Sequence, residues 1–325
     1  MTGNHARKVG RDPRRAPALR ASSAASLWQR IGARLDFYER LIRLDKPIGT
    51  LLLLWPTLSA LWIAANGRPT LVQLIVFTMG TLLMRSAGCA VNDWADRHFD
   101  AHVKRTAQRP LAIGAIAPWE ALLVAAVLAF LAFLLVLATN RTTILLSLPA
   151  VVISIVYPFT KRFFWLPQAF LGLAFSFGIP MAFAAVFDDS VPLAWWLLLI
   201  NFFWVIAYDT EYAMVDRDDD LRLGIKTSAI FFGRLDIVAI MVCYAVYIAG
   251  MAWVGETRFF GPFYFGGLAL AALIALWHWW MIHDRSREGC FRAFLHNHWF
   301  GLAVFCGIVL DFGMRLHAWP RLPAL

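Results

Sequence analysis

The chain has 325 residues, 60% hydrophobic and 16% charged, with a mean hydropathy of +0.62 and a formal net charge of +9. That much apolar side chain excludes a water-soluble globule. Apolar stretches long enough to cross about 30 Å of hydrocarbon recur along nearly the whole length, which also excludes a soluble domain on a single anchor.

Residues 1–40 read as a basic cytosolic arm, expected to be poorly ordered, and residues 41–325 as one transmembrane domain. The arm is rich in Arg and Ser but lacks the unbroken apolar core of a secretory signal. A mitochondrial transit peptide shares this composition, so a mitochondrial inner-membrane location stays open beside the bacterial inner membrane. Nine membrane helices are predicted, near 48–65, 71–91, 118–138, 142–158, 165–187, 191–208, 237–254, 262–282 and 298–314.

With the amino terminus in the cytosol, one side receives residues 1–47, 92–117, 159–164, 209–228 and 283–295. These stretches carry 23 of the 30 Lys and Arg residues, whereas the opposite side carries five: Arg68, Arg141, Arg258, Arg315 and Arg321. Such an asymmetry orients the long polar stretches toward the cytosol. It also explains much of the net charge, so the lipid bilayer is an expected partner and nucleic acid is not. The four cysteines, Cys89, Cys243, Cys290 and Cys306, stand too far apart for a thiolate metal site or a redox motif.

The two most acidic polar stretches follow the second and sixth spans: NDWADRHFDAHVKRTAQRP from Asn92 and DTEYAMVDRDDDLRLGIKTS from Asp209. Four spans separate them and both run from acids into bases, the mark of a weak internal repeat. Asn92, Asp96 and Asp100 are spaced four apart, so on a helix each advances only about 40° and all share one face. Asp216 and Asp220 repeat the spacing, and Tyr208 and Tyr212 continue that face upstream.

Clustered carboxylates repel unless a cation intervenes. Hard oxygen donors without His or Cys suit Mg²⁺, which commonly binds one or two carboxylates together with phosphate oxygens. Solvated surface charge is the simpler account of any acidic run. It does not explain two runs of equal spacing on one membrane face, each followed by cations: Lys104, Arg105 and Arg109 after the first, Arg222 and Lys226 after the second. Those cations suit the phosphate charge that a metal leaves over. Arg43 and Lys46 in RLDKPIG, and Lys161 and Arg162 in YPFTKR, lie on the same side, where positive-inside anchoring is the competing account. A cation or lipid-phosphate transporter would also carry intramembrane carboxylates, but lining a pathway rather than clustered at one face.

RLDKPIGTLLLLWPT from Arg43, RSAGCAVNDWADRHFDAHVKRTAQRPL from Arg85, VYPFTKR from Val156, IPMAFAA from Ile179 and AYDTEYAMVDRDDDLRLGIKTSA from Ala207 resemble the UbiA family of intramembrane prenyltransferases. The resemblance implies an all-α bundle of about nine transmembrane helices, with a cytosolic cap that carries the two Asp-rich motifs. It implies Mg²⁺-dependent transfer of a polyprenyl group from polyprenyl diphosphate to the 3-position of 4-hydroxybenzoate. Asn92, Asp96, Asp100, Asp216 and Asp220 then become metal ligands, with Asp96, Asp216 and Arg162 as the catalytic residues. Substrate contacts are expected from Arg43, Lys46, Arg97, Lys104, Arg105, Lys161, Arg162, Tyr212 and Lys226. Arg43 is the expected partner of the benzoate carboxylate, with Lys46 and Arg162 as competitors. Homogentisate, dihydroxynaphthoate and haem- or chlorophyll-precursor prenyltransferases of the same superfamily are the alternative acceptors.

Overall fold

Neither acidic string opens a loop, as the span predictions had it; each continues a membrane helix into the polar layer. The computed structural model describes residues 27–318, so residues 1–26 of the expected arm and residues 319–325, with Arg321, lie outside the described residues. From Leu27 onward the segment assigned to the arm is helical. The described helices are α1 Leu27–Ile42, α2 Ile48–Ala64, α3 Leu71–Asp100, α4 Pro118–Val136, α5 Arg141–Thr160, α6 Pro167–Ser176, α7 Gly178–Phe187, α8 Pro192–Leu223, α9 Ser228–Phe232, α10 Asp236–Thr257, α11 Pro262–Ile282 and α12 Arg287–Ala318. Eight spans are long and apolar enough to cross a membrane, counting α6 with α7 and α9 with α10; the shorter α2 is a ninth apolar helix among the described residues. The chain is an integral membrane protein.

Local chemistry sets the helix ends that matter for the site. Thr70 and Gln73 form a capping box at the start of α3, with Gln73 N–H donating to Thr70 Oγ1 at 3.2 Å and Thr70 N–H donating to Gln73 Oε1 at 2.9 Å. From there α3 runs unbroken for 30 residues, through Asn92 and Asp96 to Asp100. Helix α8 is longer still and stops at Gly224, whose φ of 68° is the left-handed conformation glycine accepts without strain. The expected span at 165–187 is instead broken at Phe177. Gly178 lets α7 approach α2 there, because a Cβ at that position would lie 2.5 Å from Thr57 Oγ1.

Helix α8 is the centre of the bundle. Trp204 and Tyr208 are buried, and Trp204 stacks on Phe300 of α12 with ring centroids 5.2 Å apart and lies 5.8 Å from Tyr247 of α10. Leu123, Phe130 and Leu134 of α4 are exposed, as expected of side chains that face lipid tails. A smaller apolar cluster joins Leu41 of α1, Ala87 and Ala90 of α3, Ala121 of α4, and Leu111 and Ile116 of the 101–117 connection. Arg34 Nη1 donates to Ala115 O at 2.8 Å and Arg40 Nη2 to Gln108 O at 2.6 Å. This packing fastens the connection across the bundle end where α3, α5 and α8 finish and α2 and α12 begin. Trp28, Ile31 and Leu35 form an exposed apolar stripe on α1, the pattern of a helix lying along a membrane surface.

Candidate active site

A cavity of about 690 Å³ opens at this end and descends between the helices. Its mouth is polar, formed by Arg43, Lys46, Asn92, Arg105, Arg109 and Tyr212; deeper down it is lined by Leu52, Val76, Phe77, Val136, Leu171 and Met181. On α3 alone the lining includes Asn92 and, fifteen positions or about 22 Å farther down the axis, Phe77. The space suits a molecule with an anionic head and a long apolar tail.

The ladder aspartates stand beside this mouth, and all but Asp220 are held by a cation. Arg105, from the 101–117 connection, donates from Nε to Asp216 Oδ2 at 2.9 Å and from Nη1 to the Tyr212 hydroxyl, with its guanidinium 4.3 Å from the Tyr212 ring centroid. Lys161, at the end of α5, pairs with Asp96. Arg109 Nη1 lies 2.8 Å from Asp100 Oδ2 and 3.0 Å from Asp93 Oδ1. Burial works against the charge on Arg109, but the Asp93 and Asp100 carboxylates outweigh it and hold the guanidinium above its ordinary pKa. Asp220 is buried and makes no ion pair among the described residues.

The structure thus brings Asn92, Arg43, Lys46, Arg105 and Tyr212 to the cavity wall and sets Asp96, Asp100, Asp216, Asp220 and Lys161 on the helix ends just behind it. Other expected substrate contacts point elsewhere. Arg162 donates to Ala95 O at 2.7 Å and lies over the rings of Phe99 and Phe159. Arg97 folds over Trp94 and bonds its carbonyl oxygen at 2.7 Å. Lys226 donates to Phe163 O at 2.9 Å and sits 4.3 Å from the Trp165 ring centroid. Lys104 is exposed on the 101–117 connection. These four brace the cap or face water.

Three groups that the spacing argument passed over belong to the site. Asp93 is 1% exposed and accepts from Arg43 Nη2 at 2.9 Å, so the expected carboxylate partner Arg43 is already engaged. Arg85 and Asp209 both line the cavity below its mouth. Arg85 lies 5.8 Å from the Phe175 ring centroid, and its buried Nε has no hydrogen-bond partner among the described residues; nor does the nearby Tyr208 hydroxyl. Gly49 makes room for it, since a Cβ there would come 2.5 Å from the guanidinium. Two signals were available in the sequence. Arg85 is a cation inside an apolar span, and Asp209 precedes Asp216 by seven residues, two helical turns on the same face.

The donor set fits a hard divalent cation. Among the described residues no three acids are gathered into a ready-made cage. Mg²⁺ needs only one or two carboxylates beside phosphate oxygens, and Asp96 keeps a buried Oδ1 with no hydrogen-bond partner.

A membrane bundle with a cation-lined mouth over a long apolar slot has the form of a site for lipid-tailed anions inside the bilayer. The sequence profile described as the UbiA prenyltransferase family matches residues 53–301. The chain is 59% identical over 279 residues to the 4-hydroxybenzoate octaprenyltransferase of Azoarcus sp., covering 86% of this chain and 97% of that relative. It is 60% identical to the protein of the same name from Cupriavidus necator, covering 87% and 99%. Among solved structures, a UbiA homolog from Aeropyrum pernix superposes with a TM-score of 0.71 at 24% identity, covering 81% of this chain and 97% of that one. A UbiA homolog from Archaeoglobus fulgidus, solved bound to GPP and Mg²⁺, gives a TM-score of 0.62 at 18% identity, covering 83% and 99%. This chain belongs to the UbiA prenyltransferase family.

Proposed function

We propose that the chain transfers a polyprenyl group from polyprenyl diphosphate to the 3-position of 4-hydroxybenzoate, releasing diphosphate, in ubiquinone biosynthesis. The observation that carries this reading is the polar-mouthed cavity whose apolar lining continues about 22 Å down α3. The curated relatives described above carry the name of this reaction.

Arg105, Arg109 and Lys161 gather positive charge at the mouth, where an allylic diphosphate would rest its head. Negative charge grows on the bridging oxygen as the carbon–oxygen bond breaks, and cations fixed in a dry site stabilise it most strongly. Mg²⁺ held by Asn92, Asp96, Asp100, Asp216 and Asp220 would add its own charge to that stabilisation. The apolar lining excludes water from the allylic cation, so the phenol ring is the nucleophile at hand. Arg85, with its open Nε, would take the benzoate carboxylate, and Asp209, which lines the same cavity, would receive the ring proton from the alkylated carbon. Loss of that proton restores aromaticity.

The excess of Lys and Arg at the site end of the bundle supports a cytosolic cap and amino terminus in the bacterial inner membrane. The test is to incubate the purified protein with Mg²⁺, 4-hydroxybenzoate and a polyprenyl diphosphate. Formation of 3-polyprenyl-4-hydroxybenzoate with equimolar diphosphate is expected; folded protein that makes neither contradicts the reading.

A further inference from the structure

Away from the cavity, four helices meet at one buried polar node. Glu211 of α8, His278 of α11 and Asn297 of α12 are 0% exposed, and Tyr244 of α10 is 1% exposed. The Tyr244 hydroxyl lies 3.0 Å from Glu211 Oε1, 2.9 Å from His278 Nδ1 and 2.8 Å from Asn297 Oδ1. Asn297 Nδ2 donates to Glu211 Oε2 at 2.8 Å, Trp204 Nε1 donates to Asn297 Oδ1 at 2.9 Å, and His278 Nε2 lies 3.0 Å from His296 Nδ1. The proposed chemistry uses none of these groups, yet so much buried polarity costs stability unless every member is satisfied.

A phenol has one proton to donate, and here Glu211 Oε1, Asn297 Oδ1 and, in one tautomer only, His278 Nδ1 compete to accept it. Asn297 Oδ1 already receives the Trp204 N–H. One arrangement satisfies the rest: His296 Nδ1–H donates to His278 Nε2, His278 Nδ1–H donates to the Tyr244 oxygen, and Tyr244 donates to Glu211. Glu211 then accepts from two helices at once. The node fixes both the rotation and the axial register of α8 against α10 and α12.

What that register controls lies next door. Glu211 directly precedes Tyr212, and Asn297 follows Phe294 by three residues, close to one helical turn. Tyr212 stacks on Phe294 with centroids 4.3 Å apart, both rings line the cavity, and the Tyr212 hydroxyl accepts from Arg105. We infer that Glu211, Tyr244, His278 and Asn297 are positioning residues: they hold the Tyr212 and Phe294 wall in register and through it place Arg105 at the diphosphate end of the cavity. This inference rests on the reading of that cavity as the prenyl diphosphate site.

The hydrogen-bond count singles out a conservative replacement. In Glu211→Gln the amide would accept from Asn297 and donate to the Tyr244 oxygen, while Tyr244 donates to His278 in its other tautomer; every group keeps a partner. Glu211→Leu leaves the Tyr244 hydroxyl and the Asn297 amide without their shared acceptor, and Tyr244→Phe leaves Glu211 Oε1 without its donor.

The experiment compares these variants in lipid nanodiscs, with steady-state kinetics and hydrogen exchange on each. Glu211→Gln should stay within about twofold of wild type, while Tyr244→Phe and Glu211→Leu should lose roughly tenfold in kcat/KM for the diphosphate with KM for 4-hydroxybenzoate unchanged. In a Tyr212→Leu background, Tyr244→Phe should cause no further loss, because the side chain it acts through is gone. Exchange in the Arg105-bearing segment 101–117 should quicken in Tyr244→Phe but not in Glu211→Gln; this readout needs no turnover. Wild-type protein that makes no product defeats the reading of the site, and the exchange comparison still decides the inference. Unchanged exchange in Tyr244→Phe, equal losses in Glu211→Gln and Glu211→Leu, or additive losses in the Tyr212→Leu background would overturn it.

Discussion

Arg105 Nε donates to Asp216 Oδ2 at 2.9 Å across 111 positions of sequence, tying the connection that follows the first acidic motif to the helix that carries the second. The same guanidinium bonds the Tyr212 hydroxyl and lies over its ring, so one side chain joins both motifs to the cavity wall. Arg105→Lys keeps the charge but loses the planar fork and the stacking. Its kcat/KM for polyprenyl diphosphate is expected to fall about 10- to 100-fold, with membrane insertion intact. Steady-state kinetics against the diphosphate checks this.

Asp96 is paired with Lys161 and keeps one buried oxygen without a partner. Asp96→Asn removes the negative charge a divalent ion needs while preserving shape, so turnover should be abolished and the protein should still purify from membranes. Lys161→Met should leave a milder defect, roughly tenfold in kcat/KM, because Arg105 and Arg109 remain at the mouth. Product formation per folded enzyme, normalised by size-exclusion profile, measures both.

Gly49 and Arg85 give a test of the acceptor end. Gly49→Ala places a Cβ where the guanidinium now lies, 2.5 Å from Nη2, and the contact is to the flexible end of a side chain, so the fold should persist while Arg85 moves. KM for 4-hydroxybenzoate is expected to rise about tenfold, with KM for the diphosphate within twofold. A rise in the diphosphate KM alone would contradict the assignment of Arg85.

Helices α11 and α12 cross where Gly267 and Gly307 meet. A Cβ on Gly267 would come 2.7 Å from Ala303 O and 2.8 Å from Gly307 Cα, so backbone rather than a movable side chain stands in the way. Small residues are what allow membrane helices this close approach. Gly267→Leu should destabilise the fold by about 1–3 kcal/mol or more, seen as a lower aggregation temperature in detergent.

The spans, their order and the common face of the ladder residues were legible in the sequence, because hydropathy and a four-residue spacing are properties of the chain itself. The extent of α3 and α8 was not: Asp96, Asp100, Asp216 and Asp220 lower the apolar average at helix ends, so hydropathy stops where the helix does not. The break at Phe177 was hidden from hydropathy because both halves are apolar; its mark in the sequence is Pro180, which has no N–H for the Ser176 carbonyl and whose ring crowds it. Asp93 was passed over because it falls out of the four-residue register, and its role comes from Arg43 and Arg109, far away in sequence. Arg162 was expected at the substrate from the resemblance of its YPFTKR segment and Lys226 from its charge after the second motif, whereas each side chain here reaches a backbone carbonyl oxygen. The node around Glu211 draws single residues from four helices, and no local pattern announces it.

The central claim is that both acidic motifs hold a single metal-bound prenyl diphosphate. Its most direct test is Mn²⁺ binding, followed by electron paramagnetic resonance in nanodiscs, with and without an unreactive prenyl thiolodiphosphate. The account predicts that the analogue tightens Mn²⁺ binding in the wild-type protein and that Asp96→Asn and Asp216→Asn each abolish the effect. Wild-type tightening in either variant would contradict it.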